Sequence, residues 1–361
     1  MLRSVANLTR AKTTNREKAT IRALLYESMG ASNSREQLRE AAHAGRVDLV
    51  EKIIAGAKAK GHLDLASDPC ANAEGTTPVH LAASGGHVEV LSLLLSVGGS
   101  HSLPTCRGAT PLHAAVEAGK EQCIRLLVQS GADVNAANDE AEVPALIACA
   151  LGNDGCLREL LDCKADPGMQ RGSDGCAPVH IASKHGNIAC IQALLEGAPE
   201  GFDINLTMVG ETTALFLACS YRRADVALLL LAHGADASRA SSTGQTPLFA
   251  ASHSGCAEVI GPLIKSGSDV STPEQGGCTP LVAAARAGHA DCVSELLRHG
   301  ADANNLWNGM TALEHARKQM ATHLRCRECV AALGGDVERS TGTRSNTRVV
   351  CVEPSVEMKA S

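Results

Sequence analysis

The feature that most constrains the fold of this chain is a short element that returns along it at an almost constant interval. Intact Thr-Pro copies of the element begin at Thr77, Thr110, Thr246 and Thr279, and weaker copies begin at Val143, Ala177, Thr213 and Thr311. Successive copies are offset by 33, 33, 34, 36, 33, 33 and 32 residues. A fixed period of this length is typical of a stacked array in which each repeat is one supersecondary unit.

The same sequence of local features surrounds each copy of the element. A glycine such as Gly75 precedes it, which suits a turn position that needs φ > 0. Thr is a favourable N-cap, and Pro suits the first helical position because it has no amide hydrogen to lose. A short Ala-rich helix, a glycine such as Gly86 and a second helix with Leu at helical spacing follow. Helices this short cannot bury their apolar faces alone, so stability must come from stacking between repeats.

At Gly75–Ala83 and Gly108–Ala115 the chain resembles the ankyrin-repeat family, whose signature is Thr-Pro-Leu-His within a 33-residue period. The resemblance covers Ser34 to Gly335. It implies an all-α solenoid of helix-turn-helix units with β-hairpin-like turns, about nine repeats in all. We therefore expect a basic, disordered leader at residues 1–33, the repeat array with capping repeats at both ends at 34–335, and a disordered polar tail at 336–361.

Composition excludes several classes of function. Aromatic residues make up only 2% of the chain, so the core must consist of Ala, Leu, Val, Ile and Cys, and bases have no stacking platform. The net charge of −6 gives no general attraction to phosphate backbones. No apolar stretch approaches the ~20 residues of a membrane span. We expect no nucleic acid and no membrane insertion.

The 15 cysteines, an odd number without a secretory signal, indicate reduced thiols inside the cell. We predict a cytoplasmic protein, with the nucleus, or organelle import through the basic leader, as alternatives. One position of the second helix holds either cysteine or valine: Val90, Cys123, Cys156, Cys190, Val226, Val259 and Cys292. This pattern predicts buried thiols that act as small hydrophobes, with redox sensing as the alternative. Cys326 and Cys329 lack the second pair that a zinc site needs, so we expect no metal and no cofactor.

Three histidines, His80, His113 and His180, fill the last position of the Thr-Pro-Leu-His element. The resemblance implies that each imidazole bridges backbone groups of adjacent turns. Other repeats carry Leu146 or Val282 there, which a catalytic device would not tolerate. Phosphate-binding loops, dinucleotide fingerprints, nucleophile elbows and His-Glu-x-x-His motifs are absent from the sequence. We predict no catalytic residues and no enzymatic activity.

The resemblance also implies that the turn tips and the exposed side of each first helix form one concave groove. Acidic residues crowd its first half, and basic residues gather in the second. We expect a monomer that binds a partner protein through repeats five to nine. The predicted binding residues are large surface side chains that packing does not explain: Lys184, Tyr221, Arg222, His253, Arg286 and Trp307. Basic residues beside aromatic rings favour an acidic peptide, or an acidic loop with an apolar residue. The alternative for these positions is a solvated charged face.

The sequence therefore predicts a protein-binding scaffold or adaptor. A first alternative is the substrate-recruiting subunit of an enzyme complex such as a ubiquitin ligase. Some ankyrin-repeat proteins carry a C-terminal box for that role, but the tail here has no recognisable Leu-Pro-rich box. A second alternative is an enzyme whose site lies in the leader or the tail. Neither segment approaches the roughly 50 residues of a small domain.

Overall fold

The structure is a computed structural model that describes residues 34–59, 75–197, 202–320 and 326–335. The predicted leader, 1–33, and tail, 336–361, lie outside the described residues. Within these ranges no helix is both long and apolar enough to cross a bilayer.

The described residues form helices in nine successive pairs, and we number the repeats by these pairs. First helices are α1 (34–43), α3 (Pro78–Gly85), α5 (Pro111–Glu117), α7 (Pro144–Leu151), α9 (Pro178–His185), α11 (Ala214–Ser220), α13 (Pro247–Ser254), α15 (Pro280–Ala287) and α17 (Ala312–Met320). Second helices are α2 (Val47–Ala59), α4 (Val88–Ser96), α6 (Glu121–Gln129), α8 (Asp154–Asp162), α10 (Ile188–Gly197), α12 (Ala224–Ala232), α14 (Ile260–Lys265), α16 (Ala290–Arg298) and α18 (Cys326–Ala332). The predicted all-α solenoid of paired helices is confirmed.

Most first helices begin as the repeated element predicts. The hydroxyl oxygens of Thr77, Thr246 and Thr279 each accept the backbone N–H three residues on, and proline follows at the first helical position. This arrangement satisfies one amide that a helix N-terminus leaves free. Where Val143 replaces the threonine, α7 begins without a side-chain cap.

The turns between repeats are hairpin-like fingers that are linked to one another. One of them contains two short antiparallel strands, β1 (Thr207–Met208) and β2 (Thr212–Thr213), with Thr207 opposite Thr213. Backbone hydrogen bonds run from finger to finger. The Ser242 N–H donates to Gly210 O at 2.8 Å, and the Gln275 N–H donates to Thr243 O at 3.0 Å. The fingers therefore add backbone pairing to the stacking of the helices.

The core is a thin layer that continues from repeat to repeat. One leucine in each second helix from α4 to α16 is fully buried: Leu94, Leu127, Leu160, Leu194, Leu230, Leu263 and Leu296. The alternating cysteines and valines are at most 2% exposed. Burial raises the pKa of the Cys123 thiol to about 11 and that of Cys292 to about 12. The prediction that these thiols are buried hydrophobes is confirmed.

Three histidines connect adjacent repeats in the predicted way. In His80, Nδ1 lies 3.2 Å from the Thr77 N–H and Nε2 lies 3.1 Å from Ala109 O in the next finger. Since a backbone N–H can only donate, Nδ1 accepts and Nε2 carries the hydrogen that it donates to the carbonyl. His113 and His180 repeat the arrangement. Burial lowers the pKa of all three, and the bridge requires the neutral ring.

Candidate protein-binding surface

The first helices of repeats five, seven and eight end in the same way, with an exposed basic or histidine side chain in the last turn. These residues are Lys184 in α9, His253 in α13 and Arg286 in α15. Most of the other residues of each helix are buried, so these long side chains are the part of the helix that reaches furthest towards a partner. We call this row, with the fingers beside it, the first-helix face.

Lys184 lies over an aromatic ring of the next repeat. Its Nζ is 5.5 Å from the centroid of Tyr221, which ends α11 and is 41% exposed. An ammonium over the face of a ring is attracted by the ring quadrupole. The pair holds a cation and an apolar surface side by side at the protein surface.

A second pair of the same type lies further along the face. The guanidinium carbon of Arg286 is 5.3 Å from the centroid of Trp307, and the Trp307 ring lies 5.0 Å from the ring of His315. Within the described residues neither Lys184 nor Arg286 has an ion-pair partner. Two unpaired cations, each over a ring, thus mark the later repeats.

Trp307 is more structural than the sequence indicates. Its indole Nε1–H donates to Gly276 O at 2.9 Å, which continues the finger-to-finger links with a side chain. The ring is half-buried and packs against the core. The prediction that packing does not explain this residue is therefore wrong: Trp307 ties the last finger to its neighbour and supports Arg286.

His253 lies between the two ring pairs. Its ring is parallel to that of Phe249, with centroids 6.4 Å apart and an interplanar angle of 8°. Burial, and then the nearby charge of Arg286, lower the pKa of His253. Both effects favour the neutral imidazole, so the positive charge beside His253 comes from Arg286 and Lys184 and not from His253 itself.

Arg222 departs from the predicted row. It lies in the turn between α11 and α12, with φ +56°, at the position where other repeats carry a left-handed glycine such as Gly255. Its side chain lines a depression formed with residues of the second helices α14 and α16. Tyr221 and Arg222 are adjacent in sequence, yet Tyr221 contacts Lys184 of the first-helix row and Arg222 contributes to the second-helix layer.

The earlier half of the first-helix face carries the opposite charge, as the sequence predicts. Burial, and then the charge of Glu142, raise the pKa of Glu117. Glu142 also lies 3.4 Å from Arg171, which is held by Asp174 at 2.6 Å. Arg171 is therefore already paired with carboxylates, and Arg107 lies close enough to Glu117 to lower its pKa, which only partly offsets the effects of burial and Glu142.

The remaining candidate groups are buried. Cys326 and Cys329 are 0% exposed. In the part of the chain that the structure describes, no three His, Cys, Asp or Glu side chains are grouped so as to hold a metal ion, and His323 falls outside that part.

Paired helices, linked fingers and an exposed first-helix face define a repeat solenoid of the type that binds other proteins. A family model described as ankyrin repeats (3 copies) matches residues 13–138, 145–241, 200–274 and 248–339. The chain belongs to the ankyrin-repeat family, whose repeats are generally non-catalytic interaction domains.

The chain is also similar to two individual proteins. A segment of 61 residues is 38% identical to "Ankyrin repeat and SOCS box protein 11" of Danio rerio, and covers 17% of this chain and 20% of that relative. The crystal structure of the human ASB11 ankyrin repeat domain matches with a TM-score of 0.56 at 28% identity, and the match covers 63% of this chain and 99% of that domain. The chain thus spans about a fifth of the curated relative and almost all of the solved repeat domain.

Proposed function

We propose that this chain is a non-catalytic adaptor that holds a partner protein on the first-helix face of repeats five to nine. The observation that carries the proposal is the pair of exposed cations, Lys184 and Arg286, each lying over an aromatic ring and each without an ion-pair partner among the described residues. The occupant we propose is an acidic peptide, or an acidic loop that contains an apolar residue.

The mechanism is presentation of a preorganised surface. Lys184 and Arg286 are positioned by the rings beneath them, so less side-chain freedom is lost when a carboxylate of the partner binds. The exposed part of the Tyr221 ring offers an apolar contact beside the charge. Charge pairs at such a rim are screened beyond ~8–10 Å at physiological salt, so association should weaken as salt rises.

The test is a double charge reversal, Lys184→Glu with Arg286→Glu, in the full chain. A partner captured by the wild-type chain and then purified should bind this variant roughly tenfold or more weakly, because two attractive pairs become repulsive. The matched control is Lys52→Glu with Lys58→Glu, which changes the net charge equally on the exposed side of α2. Unchanged affinity of every captured partner for the first variant would show that the partner binds elsewhere.

A second candidate is the substrate-recruiting subunit of a ubiquitin ligase. Both relatives reported above are SOCS box proteins or the repeat domain of one, and such a C-terminal box serves this role in some ankyrin-repeat proteins. Stoichiometric co-purification of ubiquitin-ligase subunits with the full chain, lost when residues 336–361 are deleted, would favour this candidate over a plain adaptor.

A further inference from the structure

The second helix of repeat seven breaks the pattern of the others. It begins as a 3-10 turn, Ala257–Val259, and continues as the short helix α14. Pro262 has no amide hydrogen, and in a regular helix its ring would clash with the carbonyl of Glu258, so the first turn tightens. Gly261 precedes it, and glycine is a poor helix former. Gly261 and Pro262, both unfavourable to a helix, are thus adjacent in the second helix of repeat seven.

The position of Gly261 has a structural task in other repeats. The equivalent residue of α6, Arg125, donates to Glu159 of the next second helix at 2.6 Å, and that of α8, Arg158, donates to Glu196 at 2.7 Å. In repeat six the position holds Leu228. Gly261 has no side chain, so repeat seven cannot form this salt bridge from that position.

A depression of about 680 Å³ lies beside Gly261, across the second helices. The residues that line it include Gly261, Pro262, Arg222, Glu258, Asp291 and Arg298. It lies on the second-helix layer, so it is distinct from the first-helix face to which the adaptor function is assigned.

Arg222 is a third exception at the same place. Its φ of +56° is a conformation that strains a non-glycine residue, and other repeats use glycine there. Among the described residues the guanidinium has no hydrogen-bond or ion-pair partner. Neither packing nor a salt bridge explains why an arginine is retained in this turn.

The acidic residues of the depression differ in whether they already have an ion-pair partner. Asp291 lies in the first turn of α16 and Glu258 in the first turn of the 3-10 segment, where negative charge interacts favourably with a helix N-terminus. Neither has an ion-pair partner among the described residues. Glu295 is paired with Arg298. The groups left available to a partner are therefore one cation, Arg222, and two carboxylates.

We propose that this depression is a second protein-binding site, which takes a short segment of a partner carrying one acidic and one basic side chain. The acidic side chain pairs with the guanidinium of Arg222, and the basic side chain reaches Glu258 and Asp291. Backbone strain and poor helix formers are commonly retained where a binding site requires them. Three such exceptions, from two repeats, converge on this one cavity.

Two variants test the proposal without damaging the fold. Arg222→Gly places the residue of the sibling repeats in the left-handed turn. Gly261→Gln places there the side chain that repeat five carries, Gln192, and an added Cβ meets only His299 Nε2, at 3.4 Å. Both variants should melt at or above the temperature of the wild type. Gly56→Ala in α2, where a Cβ meets nothing within 4 Å, is a matched helix-stabilising control away from the depression.

The binding probe is a displayed library of short random peptides, selected on the immobilised full chain at low salt. We expect enriched peptides that carry an acidic and a basic residue, and that lose roughly tenfold or more of their affinity for Arg222→Gly and Gly261→Gln. The same peptides should bind Gly56→Ala and the Lys184→Glu, Arg286→Glu variant as they bind the wild type.

The outcomes separate this site from the first-helix face. Peptides that depend on Lys184 and Arg286 but not on Arg222 report on the adaptor face alone. A selection that yields no peptide sensitive to both Arg222→Gly and Gly261→Gln overturns the proposal. A sensitive peptide whose affinity survives replacement of either charged residue by serine overturns the two-charge recognition.

Discussion

Truncation of a single core leucine should destabilise the array locally. Leu160 in α8 is 0% exposed and belongs to the row of leucines that runs through the second helices. Its repeat already lacks two features of the common turn, since Val143 replaces the capping threonine and Ala141 adopts φ +57° where most repeats use glycine. Repeat four is therefore the place where a small loss should be easiest to detect.

The magnitude follows from the burial of Leu160. Leu160→Ala removes three carbon atoms from a fully buried side chain, which at about 0.8 kcal/mol per group gives about 2.4 kcal/mol of lost transfer free energy. The cavity left behind adds to this and brings the free energy of unfolding down by about 3–4 kcal/mol. Because each repeat contacts only its neighbours, the loss should fall on repeats three to five.

The matched control is Leu151→Ala, which makes the same chemical change in the same repeat at a side chain that is 54% exposed. It should cost less than about 1 kcal/mol. Hydrogen exchange resolved by repeat is the assay, together with urea denaturation. In Leu160→Ala, faster exchange should be confined to repeats three to five, while residues 34–59 and 312–320 exchange as in the wild type.

Two results would refute this reasoning. Equal destabilisation by Leu160→Ala and Leu151→Ala would mean that burial does not set the cost. Uniformly faster exchange from the first repeat to the last would mean that the array unfolds as a single cooperative unit and not through nearest-neighbour contacts.

The remaining predictions concern pH and the thiols. Burial lowers the pKa of the three bridging histidines, so they bind protons more readily in the unfolded chain. The urea midpoint of unfolding should therefore fall as the pH drops below about 6.5. A His80→Leu, His113→Leu variant should show a shallower fall. A thiol reagent at neutral pH should label exposed Cys106 rapidly and buried Cys292 only on unfolding, because burial raises the pKa of Cys292 to about 12. Rapid labelling of both cysteines would contradict the assigned burial. A strong zinc chelator should leave the melting temperature unchanged, and a clear fall would show that cysteines hold a metal.

Most of the architecture was predictable from the sequence because the repeat imposes the same local solution each time. Thr77 predicts a cap, Pro78 a first helical residue and Gly86 a left-handed turn, and the structure has all three. Phasing the repeats also identified the buried thiols, since a position that alternates between Cys123 and Val90 must accept a small apolar side chain. These inferences need only neighbours in sequence and a known period.

The candidate sites were predictable only in part. The sequence places Lys184 and Arg286 at the same position of their repeats, and the structure puts both on the first-helix face. The sequence also indicated that basic and aromatic residues share this face, but it did not show which cation lies over which ring. The sequence reasoning did not single out Gly261-Pro262, although both residues are poor helix formers in a second helix, and the depression appears only when α16 is packed beside α14.

The sequence by itself determined the period, the helix boundaries and the side of each helix that is buried, because these follow from local capping and helical spacing. Tertiary structure decided what the exposed residues contact. Trp307 donates to a carbonyl 31 residues away, and this bond gives an expected binding residue a structural role. At Arg222 a left-handed backbone sends the side chain to the second-helix layer, while Tyr221 beside it stays with Lys184. Such contacts depend on side-chain direction between stacked repeats, which the pattern of residue types along one repeat does not specify.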